Sequence, residues 1–450
     1  MKPHLRAKHI ALWLTLAYAS AVQSAALAGG PLAIQGAKII TISGETIDVG
    51  TIVIREGKIE AVGTDIKIPG EAKVIDGTGK VIMPGFVDAH SSAGMSQANE
   101  RTEVVPFLSV VDSIDPVANY FEECRRNGIT SAAVVPGNST LIGGQAAILK
   151  TAGQYVNDML LVREAGLKLS LRPTSGSRMS QMARLRKELD KAKKAIENKD
   201  QPAEATTAQE PAKEAAEAPE GEAGKPEGTD GAAATDGSNA AANAQQNEQG
   251  LQALIKAVKG ESPVYIYCEN GMDVVAALAL IKDYNLKPIF VLGRDCHKAA
   301  KLLGERGETV ILDPNLVFWE TNPRTRADTK YALPQIYRDA GVPIVFQTDN
   351  TGSRSSVGSG YFWFQAATAV KYGMSEADAL AALTLTPAKL LGIDHLVGSI
   401  EVGKDADLVI LTGEPFEITT WVDQTIVDGD IVYDRAKDEK LSRLLSPVAE

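Results

Sequence analysis

Side chains able to do chemistry are sparse in this chain. There are five histidines, His4, His9, His90, His297 and His395, and three cysteines, Cys124, Cys268 and Cys296. His4 and His9 belong to the N-terminal segment, and His395 stands where the chain passes into a β-rich tail, so none of these three is a candidate. His297, in CHKAAKLLGER, opens a helical pattern and reads as an exposed or capping histidine. That leaves His90, in PGFVDAHSS. No two cysteines have C-x-x-C spacing, which argues against a zinc knuckle or a redox pair; buried structural thiols are expected instead.

The elements that must position such residues fall into two textures. Residues 32–80 alternate apolar and polar side chains with glycine punctuation, as in AKIITISG and GTIVIREGKIEAVG, and the texture returns after Leu396 in VGSIEVGKDADLVIL and QTIVDGDIVYD. Alternation of this kind predicts short, half-buried strands. Two β-rich ends around a different middle predict one small sandwich built from both termini. In the middle, compact apolar runs at 129–137, 262–268, 287–293, 308–314 and 342–349 are separated in several places by helical patterns such as MDVVAALALIKDY. Repeated βα units imply a parallel sheet covered on both faces. Periodicity alone leaves open whether that sheet closes into a barrel, with function at its C-terminal strand ends, or stays open, with function at a topological switch point.

Two segments stand apart. Residues 1–28 carry Lys2, Arg6 and Lys8, an apolar stretch from Ile10 to Val22, and Ala26-Leu27-Ala28 before Gly29. This is a signal-peptide pattern, so the protein is expected to be exported, periplasmic or secreted, with no membrane association after cleavage. An odd cysteine count in an exported protein leaves at least one free thiol. Residues 198–250 are rich in Ala, Glu, Gly, Pro, Gln and Asn, with almost no large apolar residues. Such a composition cannot bury enough surface to offset chain entropy, and it predicts a disordered insertion. The net charge of −11, with no basic run, argues against nucleic acid as a partner.

PGFVDAHS (84–91) resembles the opening strand of the amidohydrolase superfamily, PG-(L/F)-(I/V)-D-x-H-x-H. LTLTPAKLLGI (383–393) and GSIEVGKDADLVIL (398–411) resemble its characteristic ends. ANERTEVVPFLSVVDSIDP (98–116) and VVPGNSTLIGGQAAILKTAG (134–153) are similar to the imidazolonepropionase-like branch. The resemblance implies an α/β fold: a (β/α)8 TIM barrel over 82–395, with a β-sandwich formed by 29–81 and 396–450. It also implies hydrolysis of non-peptide C–N bonds, often in cyclic amides, with one or two divalent metals such as zinc. The metal lowers the pKa of a bound water, and an aspartate on the last strand accepts its proton.

Carried onto this chain, the expected ligand set is incomplete. His90 fills one strand-1 position, but Ser92 stands where the second histidine belongs. Tyr267 and Leu292 fall at the histidine positions of strands 5 and 6; a one-residue slip would instead bring in Cys268. Asp349, in FQTDN, matches the strand-8 aspartate, and Lys150, in AAILKTAG, is the candidate for the strand-4 lysine. The expected metal candidates are therefore His90, Asp349 and Lys150. Asp349 is the candidate general base and His90 the acid or electrostatic helper, while Ser92, Tyr267 and Leu292 line the pocket. A catalytic zinc usually has three protein ligands and an open position, so a tight binuclear centre is not expected. Two functions stand side by side: a C–N hydrolase, or a catalytically inactive binding or regulatory protein of the same fold. The partner is a small molecule; self-association, or association with an active amidohydrolase through YFWF (361–364), is a further expectation.

Overall fold

In the computed structural model, residues 30–174, 176–200, 235–349 and 362–445 are described. The expected signal peptide (1–28) lies outside them, as does most of the 198–250 insertion.

The alternating N-terminal run forms β1 (Leu32–Ile39), β2 (Ile47–Arg55), β3 (Lys58–Gly63), β4 (Lys73–Asp76) and β5 (Val81–Pro84). At a bulge in the middle of β1 the partner changes: residues up to Gln35 pair with β4, and Lys38 and Ile39 pair with β5. Gly36 sits there with φ +79°, a left-handed conformation that a side chain disfavours, and a Cβ would meet Thr78 Oγ1 at 3.2 Å.

The middle of the chain supplies β6 (Phe86–Ser91), β7 (Ile129–Val134), β8 (Ile142–Lys150), β9 (Leu160–Ser170), β10 (Pro263–Asn270), β11 (Lys287–Asp295), β12 (Val310–Ile311), β13 (Val317–Thr321), β14 (Asp328–Ala332) and β15 (Ile344–Val345). Eight of these form one sheet in the order β6-β7-β8-β9-β10-β11-β12-β15, with β13 and β14 as a separate antiparallel hairpin. The sheet is mixed rather than all-parallel, because β8 runs antiparallel to both β7 and β9. Only Val135–Leu141 separates β7 from β8, and a parallel crossover needs a dozen or more residues. No backbone pairing joins β6 to β15 among the described residues; side chains link those edges instead, as shown below.

The last strands, β16 (Leu408–Leu411), β17 (Val422–Val427) and β18 (Asp430–Asp434), join the N-terminal ones through β16–β5 pairing. Both ends of the chain thus build one eight-stranded sheet. Its apolar core includes Ile34, Ile39, Ile52, Ile82, Leu408 and Ile426.

Helices α1 (Arg178–Asp200), α2 (Thr235–Val258) and α3 (Gly271–Tyr284) cover one face of the central sheet. Leu189 of α1, Leu254 of α2 and Ala277 of α3 share a core with Leu167, Leu169, Cys268 and Leu292 of the strands. The other face carries a second cluster with Val87, Ala89, Ala133, Tyr265, Tyr267 and Val291. Residues 198–200 and 235–250, expected to be disordered, lie within α1 and α2. Alanine and glutamine have high helix propensity, and the helix is held where Leu254, Ile255 and Val258 reach the core. Of the YFWF cluster, Tyr361 lies outside the described residues. Phe362 is fully buried, Trp363 stacks between Phe86 and Phe416, and Phe364 is 63 % exposed.

Candidate functional site

Alternation along β9 sends Leu167 and Leu169 to the helix side, so Lys168 and Ser170 face the opposite side. Lys168 is fully buried there, and its Nζ lies 3.0 Å from His90 Nε2 at the end of β6. A neutral imidazole accepts this bond through Nε2 and carries its proton on Nδ1. His90 Nδ1 has no hydrogen-bond partner and lies 3.7 Å from Asp349 Oδ2. Asp349 is itself held by Ser92, whose hydroxyl donates to Oδ1 at 2.6 Å and whose backbone N–H donates to the same oxygen at 3.3 Å. Four side chains from β6 and its C-terminal flank, from β9, and from the segment after β15 thus form one chain: Lys168–His90–Asp349–Ser92.

A second carboxylate supports it from behind. Asp88 accepts from the Thr348 backbone N–H, the Tyr120 hydroxyl and the His90 backbone N–H, each at 3.2 Å, and from the Thr348 hydroxyl. These bonds tie β6 to the segment after β15 and fix His90 and Asp349 relative to each other.

Burial sets the electrostatics. It pulls the Lys168 ammonium down to about 7, with the Asp349 carboxylate opposing the shift. His90 is driven well below its ordinary value, by burial first and by the Lys168 charge second. The Asp88 carboxyl is pushed up to about 7 by burial, against its four hydrogen bonds. Desolvation penalises each charged form, hydrogen bonds to the carboxylate oppose it at Asp88, and neighbouring charges act at Lys168 and His90.

The fold brings His90, Ser92 and Asp349 together, and it does not bring Lys150 to them. Lys150 ends β8, and because β8 runs backwards its register partner is Ser131, near the start of β7. It lies at the opposite end of the sheet from His90. There its Nζ bonds Asp405 at 2.8 Å, Asp407 at 2.9 Å and Asp428 at 2.6 Å. Lys150 is a structural ion-pair hub between the two sheets, and the lysine at the site is Lys168. A lysine alternating with buried leucines in GLKLSL was the available signal, but alternation reads equally as a solvent-facing lysine.

Leu292 also needs correction. It pairs with Cys268, Val291 pairs with Tyr267, and Leu292 and Cys268 both belong to the helix-side core. Leu292 and Tyr267 thus face opposite sides. The strand-6 residue level with Tyr267 on the site side is Val291, and Cys268 is no ligand. Tyr267 lies on the site face, with the Lys168 ammonium 5.7 Å from its ring centroid. His297 is packing: its Nδ1 lies 3.0 Å from the Arg294 carbonyl and its ring meets Phe318 and Tyr331.

These donors do not fit a family-type metal pair. Zinc binds imidazole nitrogen at about 2.0–2.1 Å, and the Lys168 nitrogen already sits on the His90 Nε2 lone pair. On the same face Ser92 donates to Asp349, and Tyr267 and Val291 bring no imidazole or carboxylate. Among the described residues no group of three or more His, Cys, Asp and Glu side chains is arranged to hold a metal ion.

The amidohydrolase family model matches residues 81–432. Amidohydrolase tasK of Hapsidospora irregularis is 22 % identical over 409 residues, covering 86 % of this chain and 40 % of its own length. An imidazolonepropionase of Thermoplasma volcanium is 33 % identical over 143 residues, covering 30 % of this chain and 33 % of that protein. The chain therefore spans well under half the length of these relatives. Among solved structures, an amidohydrolase from Thermotoga maritima superposes with a TM-score of 0.72 at 24 % identity, covering 90 % of this chain and all of that one.

Proposed function

Because the chain belongs to the amidohydrolase family, we propose that it binds a small amide-bearing molecule at the C-terminal ends of β6 and β9, in a centre that works without a resident metal pair. In this reading the central sheet is the family's barrel, its β6 and β15 edges bridged by Thr348 and Asp88, and the sheet built from both chain ends is the accompanying sandwich. The observation that carries the reading is the 3.0 Å contact between Lys168 Nζ and His90 Nε2. A buried ammonium takes the place of metal charge and offers donors to a ligand carbonyl, and Ser92 fixes the neighbouring carboxylate. The signal pattern in residues 1–28 supports an exported protein.

A second reading, hydrolysis of C–N bonds, is favoured by one observation: burial holds Lys168 and Asp88 near neutral pH. Groups poised there can exchange protons at working pH. Asp349 would accept the proton of an attacking water, and Lys168 would stabilise the oxyanion. The test is turnover of hydantoins, cyclic imides and N-acyl amides by chelator-treated protein, beside binding of the same compounds. Binding without turnover supports the first reading. Turnover that survives chelation and is lost in Asp349→Asn supports the second. Activity that appears only with stoichiometric zinc sinks the metal-free centre in both.

A further inference from the structure

The unmet donor of this centre, His90 Nδ1, has an unmet acceptor on its own side of the sheet. The segment after β15 continues the alternation of the strand: Ile344 and Phe346 belong to the helix-side core and Val345 to the site-side cluster. Gln347 and Asp349 therefore share the site face, two residues apart. Gln347 is 2 % exposed, and its Oε1 has no hydrogen-bond partner; the buried His90 Nδ1 has none either. Native proteins seldom leave such groups unmet, and here one is a carbonyl oxygen and the other a ring N–H.

The orientation of the Gln347 carboxamide is fixed from its other end. Its Nε2 donates to the Leu312 carbonyl at 2.7 Å, and its backbone carbonyl accepts from Gln365 Nε2 at 2.7 Å. Only a nitrogen can donate to Leu312, so Oε1 is the end left over. That side chain reaches the histidine: against burial and the Lys168 charge, which push His90 down, Gln347 pushes it up, as an acceptor beside a ring N–H does. Asp349 Oδ2 is the rival acceptor, but at 3.7 Å it is too far for a hydrogen bond. Asp349 also takes both Ser92 bonds on Oδ1, whereas the Gln347 oxygen has no other use.

We infer that Gln347 is a positioning residue: its Oε1 accepts from His90 Nδ1–H, holds the imidazole in the tautomer whose Nε2 accepts from Lys168, and leaves Asp349 Oδ2 open to a ligand. The division of labour between the two acceptors deepens the metal-free centre proposed above, and its ligand arm rests on that reading.

The test is nitrogen NMR of the histidine rings in the whole labelled chain, with the His90 signals assigned by their loss in His90→Ala and hydantoin binding measured in parallel. In the wild type the His90 proton sits on Nδ1 and is shifted downfield by its hydrogen bond. Gln347→Leu removes that shift and weakens hydantoin binding roughly 5- to 10-fold, as Nδ1–H turns to Asp349. Gln347→Glu, buried and protonated, keeps one donor for Leu312 and one acceptor for His90, and restores both readouts; a side chain that only packs would be replaced better by leucine. Asp349→Asn leaves the Nδ1 signal in place. A signal that survives Gln347→Leu and moves in Asp349→Asn gives the proton to Asp349 and overturns the inference, as does a wild-type proton on Nε2. Should Gln347→Leu fail to fold, a Nδ1 signal moved by Asp349→Asn and not restored in Gln347→Glu overturns it equally. The expected signals without hydantoin binding by the wild type support the role of Gln347 and count against the small-molecule reading alone.

Discussion

Replacing Lys168 by methionine separates its charge from its packing. The folded ammonium titrates at about 7 against an ordinary 10.5. Between those values the unfolded chain holds a proton that the folded chain lacks. Stability therefore rises with pH above 7, by about 1.4 kcal/mol per pH unit, and below pH 7 the buried charge costs the fold roughly 5 kcal/mol. Methionine has a similar length and no charge. It leaves His90 Nε2 without its donor, a loss of roughly 1–3 kcal/mol. At pH 6.5 the net expectation is a variant more stable than wild type by about 2–4 kcal/mol. Urea denaturation at pH 6.5, 7.5 and 8.5 reads both terms. The three cysteines are buried, and burial raises their thiols, which lowers stability as pH climbs past about 8.5. That contribution is common to both proteins and cancels in their difference. The difference should shrink steadily from pH 6.5 to 8.5. A pH-independent difference, or a variant less stable than wild type at pH 6.5, would refute the buried charge.

Asp88 carries the opposite slope. Its folded carboxyl titrates near 7, above its ordinary value, so its contribution is fully present below about pH 4 and is lost as pH rises through 7. Asp88→Asn should remove roughly 1 kcal/mol of stability change per pH unit across that window, as measured by denaturation at pH 4.5, 5.5 and 6.5. At the other end of the sheet, Lys150→Met should destabilise by about 3–5 kcal/mol, because it strands the buried Asp407 beside Asp405 and Asp428. The folded fraction should keep wild-type ligand affinity, since Lys150 lies away from the site. Ser92→Ala should cost roughly 1–3 kcal/mol of stability, read by urea denaturation, by removing a hydroxyl donor to the Asp349 carboxylate.

The parts of the centre legible in the sequence were those encoded by local, contiguous patterns. PGFVDAHSS marks a strand and its end whatever the strand pairs with, so His90 and Ser92 were found, and FQTDN marked Asp349 in the same way. What failed depended on pairing. The direction of β8 is set by the short Val135–Leu141 connection, and reversing one strand moves Lys150 from one end of the sheet to the other. Leu292 failed by a single residue of register, which flips a side chain to the opposite face. Lys168 was hidden because leucine–lysine–leucine alternation looks the same for a surface strand and for one whose polar face is enclosed. Asp88 and Thr348 become visible only once the strand ends are brought together. The helical ends of the 198–250 insertion were missed because composition records how little that segment can bury, not the core onto which the following Leu251–Val258 turn docks.

In the function proposed above, a lysine ammonium in place of a metal occupies the His90 side of this centre. Elemental analysis of protein expressed with added zinc and then dialysed tests it most directly, on the wild type and on His90→Ala. Zinc is expected far below stoichiometry in both proteins, with no difference between them. Stoichiometric zinc in the wild type that disappears in His90→Ala would contradict it.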